Sequence, residues 1–128
     1  MLQTYKAVVV EDNHDLRFLY TFKLENEGFR VRSTGNGNDA LQLIKEFKPD
    51  IILLDLLLPG ISGPELLARL RQEEWASDIR VIVLTNVSKN EAPQTLRFLV
   101  VDRYIVKAHH TPSQVVEVVR EVLNEKPT

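Results

Sequence analysis

Ile51-Ile52-Leu53-Leu54-Asp55 runs four aliphatic residues without a polar break into a carboxylate, and Leu56-Leu57-Leu58-Pro59-Gly60 follows. A strand with one wet face alternates apolar and polar residues, so an unbroken aliphatic run this short fits a strand covered on both faces. Ala7-Val8-Val9-Val10, Val81-Ile82-Val83-Leu84 and Tyr104-Ile105-Val106 have the same character and read as further central strands. A weaker segment, Phe29 to Ser33, alternates Phe29 and Val31 with Arg30 and Arg32, which suits a half-exposed edge.

Helix-period stripes lie between these runs: Leu16, Leu19, Tyr20 and Leu24; Ala40, Leu41, Ile44 and Phe47; Leu66, Leu67 and Leu70; Val115, Val118, Val119 and Val122. Capping-box spacing marks three helix starts, Ser62 with Glu65, Ser88 with Glu91, and Thr111 with Gln114 ahead of Pro112. A strand-helix alternation repeated five times implies right-handed crossovers. The expected fold class is α/β: a doubly wound, five-stranded parallel sheet in a three-layer α/β/α sandwich, flavodoxin-like, with strand order 2-1-3-4-5.

With 128 residues, 44% hydrophobic and 27% charged, the chain has the size and balance of one globular domain over 1–128. Its net charge of −2, with Lys and Arg spread along the chain, supplies no basic face and argues against direct nucleic-acid binding. The absence of cysteine excludes disulfides and thiolate metal sites. The N-terminus lacks a signal-peptide run and no apolar run could span a bilayer, so a cytoplasmic protein with no membrane contact is expected.

In an open parallel sheet, ligands bind beyond the carboxyl ends of the strands, where strand order reverses. The residues at those ends are Glu11-Asp12, Asp55, Thr85 and Lys107. Each alone reads as a turn or surface charge; together they bring three carboxylates, a hydroxyl and an ammonium to one place. Converging carboxylates repel one another unless a cation compensates. A purely oxygen donor set favours magnesium over zinc. Magnesium and Lys107 would neutralise a phosphoryl group, Asp55 is a competent nucleophile for an acyl phosphate, and Thr85 would donate a hydrogen bond to it.

Val8-Val9-Val10-Glu11-Asp12-Asn13, the segment Asp55 to Gly63, and Tyr104-Ile105-Val106-Lys107 resemble the motifs of response-regulator receiver domains in two-component signalling. The likeness covers essentially the whole chain. It implies that Asp55 accepts phosphate from a histidine kinase or phosphotransfer protein, while Asp12, Asp55 and the Leu57 carbonyl hold magnesium and Glu11 acts on it through water. It implies that Thr85 and Lys107 read the phosphoryl group and that Tyr104 is an aromatic switch. It also implies that Pro59-Gly60 and Gly63 let the backbone pass beside the site. Output would reach a downstream protein target, or a second copy, through the helix after the fourth strand, the fifth strand and the last helix. Such a domain catalyses only its own phosphorylation and dephosphorylation.

The chain departs from that pattern in four places. Ala108 follows Lys107 where the family usually has proline in a cis bond, so the loop here is expected to be trans or strained. Asn86 is larger than the small residue usual after the threonine, and either crowds the phosphate or bonds to it. Leu57 and Val87, which flank the water path in the family, are apolar and predict slow loss of the phosphoryl group. Val100-Val101 replaces a usual Gly-Ala, so the helix before it is expected to end differently. The run Phe98-Leu99-Val100-Val101 either packs into the core or offers an apolar output surface. His109-His110 reads as a solvated loop. The alternative on this fold is a receiver-like interaction module that acts without phosphate. A metal-dependent phosphatase would need a carboxylate at Leu57, and a flavin carrier would need a phosphate-cradling loop where Glu11 and Asp12 stand.

Overall fold

The computed structural model describes residues 4–94, 96 and 99–125. Strands β1 (Lys6–Val10), β2 (Arg30–Thr34), β3 (Ile51–Leu54), β4 (Arg80–Thr85) and β5 (Arg103–Val106) form one parallel sheet in the order β2-β1-β3-β4-β5. The order turns back on itself between β1 and β3, which opens a crevice beyond their carboxyl ends. The edge strand Arg30–Thr34 begins one residue later than the alternation suggested; Phe29 is buried just before it.

Alternate strand residues face opposite ways. Ala7, Val9, Ile51, Leu53, Ile82 and Leu84 meet α1 (His14–Asn26) and α4 (Pro112–Asn124), while Val8, Val10, Ile52, Leu54 and Val81 meet α2 (Gly37–Phe47) and α3 (Gly63–Arg71). The aliphatic runs of β1, β3 and β4 are unbroken because these strands are covered on both faces, whereas β5, expected as a central strand, stands at the sheet edge with only Ile105 buried. On α4 the expected Val115, Val119 and Val122 are buried, with Val116 taking the fourth place in the stripe and Val118 only partly buried.

Two of the three expected helix starts hold as caps. Ser62 Oγ accepts from the Glu65 N–H at 3.3 Å, while the Glu65 carboxylate pairs with Arg69. Thr111 and Gln114 form a complete capping box. The third does not: Ser88 opens only a 3₁₀ turn, Lys89–Glu91, without a side-chain cap. Pro93 explains the stop, because a residue before proline is driven out of the helical region, and Ala92 sits at φ −63°, ψ 147°. Among the described residues, the β4–β5 crossover thus carries 3₁₀ turns in place of a fifth α-helix. Of the apolar run before β5, Leu99 and Val101 pack on the core, Val100 is 68% exposed, and Phe98 lies outside the described residues.

Candidate functional site

Both ends of the first βα turn are tied down. Asn13 Oδ1 accepts from the Leu16 N–H at 3.0 Å and so caps α1, and the Asn13 N–H donates to Glu11 Oε2 at 3.1 Å. Glu11 continues the ladder one step past β1, its N–H donating to the Thr34 carbonyl at 3.0 Å. Its carboxylate is thereby turned into the sheet's end, 2% exposed, while Asp12 faces solvent.

Asp55 extends β3 in the same way, its N–H donating to the Val10 carbonyl at 3.0 Å. The side chain is 5% exposed. Its Oδ1 accepts from the Leu57 N–H at 3.2 Å and its Oδ2 from the Lys107 ammonium at 2.8 Å. Gly63, the first residue of α3, backs directly onto it: a Cβ there would lie 2.3 Å from the Asp55 carbonyl oxygen. Only glycine lets the helix come this close.

Carboxylate oxygens of Glu11, Asp12 and Asp55 lie within 4.8 Å of one another. Lys107 reaches both buried members, forming an ion pair with Glu11 as well as with Asp55. Burial raises the Glu11 carboxyl; Lys107 and the Asn13 N–H oppose this without cancelling it, and Glu11 stays above its ordinary value. Burial alone would lower Lys107, but Asp55 and Glu11 more than offset it and the ammonium is held above its ordinary value. One monovalent cation thus serves two buried carboxylates beside a third, exposed one. Hard oxygen donors so close together, partly open to solvent, fit a divalent magnesium ion. Beneath them Tyr20, 2% exposed, closes the floor with Val9, Leu53 and Leu84, and burial raises its phenol.

Thr85 ends β4 fully buried, and its Oγ1 accepts from the Val87 N–H at 3.4 Å. Tyr104 on β5 donates its hydroxyl to the Val87 carbonyl at 2.7 Å; burial raises this phenol too. Thr85 and Tyr104 therefore grip the two sides of one residue in the loop after β4. Asn86 is exposed and Val87 half-buried. Leu57, 64% exposed, stands at the rim. Lys107 opens a 3₁₀ turn, Lys107–His109, with no cis bond, so alanine after the lysine gives a trans loop.

The structure therefore brings Glu11, Asp12, Asp55 and Lys107 into one cluster and hangs Thr85 and Tyr104 on the neighbouring loop. Two residues that the strand-end pattern does not single out complete the frame. Asn13 has a legible signal, an N-cap residue ahead of an apolar-periodic stretch. Arg17, whose guanidinium donates to the Glu11 carbonyl at 2.7 Å, has none.

The family model of the response regulator receiver domain matches residues 7–120. This chain belongs to that family. It is the receiver domain of a two-component response regulator, a signalling domain. The receiver is 37% identical over 124 residues to the phosphate regulon transcriptional regulatory protein PhoB of Rhizobium meliloti (strain 1021), covering 95% of this chain and 54% of that protein. It is 36% identical over 118 residues to the protein of the same name from Pseudomonas aeruginosa, covering 91% and 50%. The receiver thus spans about half the length of these relatives.

Among solved structures it superposes with a TM-score of 0.84 on a DNA-binding response regulator of the LuxR family from Staphylococcus aureus, at 30% identity, covering 94% of this chain and 99% of that one. The BeF3-activated N-terminal receiver domain of Klebsiella pneumoniae RstA gives 0.81 at 28% identity, with the same two coverages. Vibrio cholerae chemotaxis protein CheY4 gives 0.85 at 21% identity over 94% and 99%, a likeness of fold. No helix among the described residues is long and apolar enough to cross a membrane.

Proposed function

We infer that this receiver takes a phosphoryl group onto Asp55 from a histidine kinase or phosphotransfer protein and converts it into a change of surface read by a protein partner. The observation that carries this is the cluster itself: three carboxylates within 4.8 Å, with the Lys107 ammonium 2.8 Å from Asp55 Oδ2. A carboxylate so placed is short of positive charge, and a phosphoryl transfer needs chiefly in-line placement and neutralised equatorial oxygens.

In the transfer, an Asp55 oxygen attacks phosphorus and the bond from phosphorus to the donor nitrogen breaks. The departing imidazole keeps the electron pair and takes a proton. Glu11, Asp12, Asp55 and the Leu57 carbonyl would hold magnesium, which when bound supplies divalent charge against the phosphate oxygens. Lys107 moves its ammonium from the Asp55 oxygen to the phosphoryl oxygens, and the Leu57 N–H fixes the rotation of the carboxylate. Thr85 turns its hydroxyl from the Val87 N–H toward the new phosphate. Val87 then loses one of its two holds, and Tyr104, bonded to the other side of the same residue, follows. The surface altered is that of the 3₁₀ crossover after β4, β5 and α4.

Beryllofluoride, a non-transferable stand-in for the phosphoryl group, tests the site directly. With magnesium it is expected to shift the amide resonances of Asp55, Thr85, Val87 and Tyr104 in the parent protein and to leave an Asp55→Asn variant unchanged. Shifts that persist in the variant would contradict Asp55 as the acceptor.

A further inference from the structure

Arg17 sits on α1, outside the carboxylate cluster, yet its guanidinium is the partner of the carbonyl that joins the two members of the acidic pair, Glu11 and Asp12. Past Val10 the ladder offers Glu11 one sheet bond, from its N–H to the Thr34 carbonyl at 3.0 Å. Its own carbonyl accepts from Arg17 Nη1 at 2.7 Å. That carbonyl belongs to the peptide unit joining Glu11 to Asp12, so the two bonds hold the main chain on either side of Glu11 and set where Asp12 begins. Asp12 is exposed and gains little from packing. Its place beside Asp55 therefore depends on its backbone.

Gly35, just after β2, makes room for this contact. A Cβ at Gly35 would lie 2.4 Å from Arg17 Nη1 and 3.4 Å from the Glu11 carbonyl oxygen. The first distance is impossible and the second tolerable. The atom that must yield is the tip of a flexible side chain, so alanine there would expel the guanidinium and leave the surrounding backbone in place.

We propose that Arg17, seated on Gly35, is a positioning residue that holds the Glu11–Asp12 peptide so that Asp12 and Asp55 face one cation. This rests on the reading of Glu11, Asp12 and Asp55 as the magnesium site. Charge and geometry predict opposite signs. Removing a nearby positive charge should tighten binding of a cation by Coulomb's law, whereas losing a residue that orients a ligand typically weakens it by about tenfold or more.

The test is calorimetric titration of the full chain with magnesium chloride alone, beside thermal unfolding and the amide ¹⁵N shift of Asp12, which reports the hydrogen bond on its own peptide. Arg17→Ala and Gly35→Ala are each expected to weaken magnesium binding by about tenfold and to shift the Asp12 amide in the same direction. Adding Gly35→Ala to Arg17→Ala should cost nothing further, and Arg17→Lys, which keeps one donor, should recover affinity. Binding in Arg17→Ala as tight as in the parent, or tighter, would overturn the proposal, as would independent losses from the two substitutions. If instead the parent binds no magnesium, or Asp12→Asn binds it as the parent does, the reading of the metal site fails rather than the role of Arg17.

Discussion

Lys107 donates to Asp55 Oδ2 at 2.8 Å and reaches Glu11 as well, so a single ammonium is shared by the two buried carboxylates of the site. Removing one partner of a buried ion pair strands the rest. Lys107→Met is expected to destabilise the metal-free protein by about 3 kcal/mol at neutral pH, the low end of the buried-pair range because the side chains retain some water contact. The penalty should shrink on acidification. Burial already holds the Glu11 carboxyl above its ordinary value, so the folded variant binds more protons than the unfolded chain and gains stability as pH falls through that raised value. In the parent, Lys107 is itself raised, and its contribution is lost only as pH climbs through that raised value. Urea unfolding of both proteins at neutral and mildly acidic pH checks the sign; a penalty that grows on acidification would contradict it.

The Tyr104 hydroxyl and the Val87 carbonyl are 2.7 Å apart. Tyr104→Phe removes that bond and is expected to cost about 1 kcal/mol, with faster amide exchange confined to the loop after β4. Exchange unchanged at Val87 and Ser88 would detach Tyr104 from the loop it is argued to hold.

Leu57 is 64% exposed at the rim of the site and cannot orient a water. Phosphate once attached should leave slowly, and Leu57→Asn is expected to speed its loss by roughly tenfold, less than the ~100-fold that a well-placed general base supplies. The rate is read from the fall of the phosphorylated mass after the donor is removed. Equal lifetimes in the two proteins would show that the rim residue does not govern hydrolysis.

Gly63→Ala puts a methyl group where the Asp55 carbonyl already stands, 2.3 Å away. Overpacking of this kind costs about 3 kcal/mol, and it should also impair the site, since α3 can move only by shifting Asp55. Gly28→Ala is no substitute control, being strained by its own φ of +93°; Ser62→Ala, which removes only a cap, should cost about 1 kcal/mol and leave the site intact.

Most of the fold was legible because it rests on short-range patterns. Aliphatic runs such as Ile51–Leu54 announce strands covered on both faces, and the clustered carboxylates and Lys107 stand at the strand ends. The spacing of Ser88 and Glu91 points to a helix in the crossover after β4, but Pro93, two residues on, carries the physics that stops it. The split of Leu99 and Val101 from Val100 could not be read, since it depends on which side of the strand entry faces α3; there Arg71 Nη2 donates to the Val100 carbonyl at 2.8 Å. The contact of Arg17 with Glu11 was equally hidden, because it requires Gly35, eighteen residues farther along, to lie beneath the guanidinium.

Phosphoryl transfer to Asp55 is tested most simply by the intact mass of the protein after incubation with acetyl phosphate, with and without magnesium, beside an Asp55→Asn variant. One added phosphoryl group is expected on the parent alone, and only with magnesium. No addition under conditions that phosphorylate a known receiver would contradict it and leave a receiver-like module that acts without phosphate.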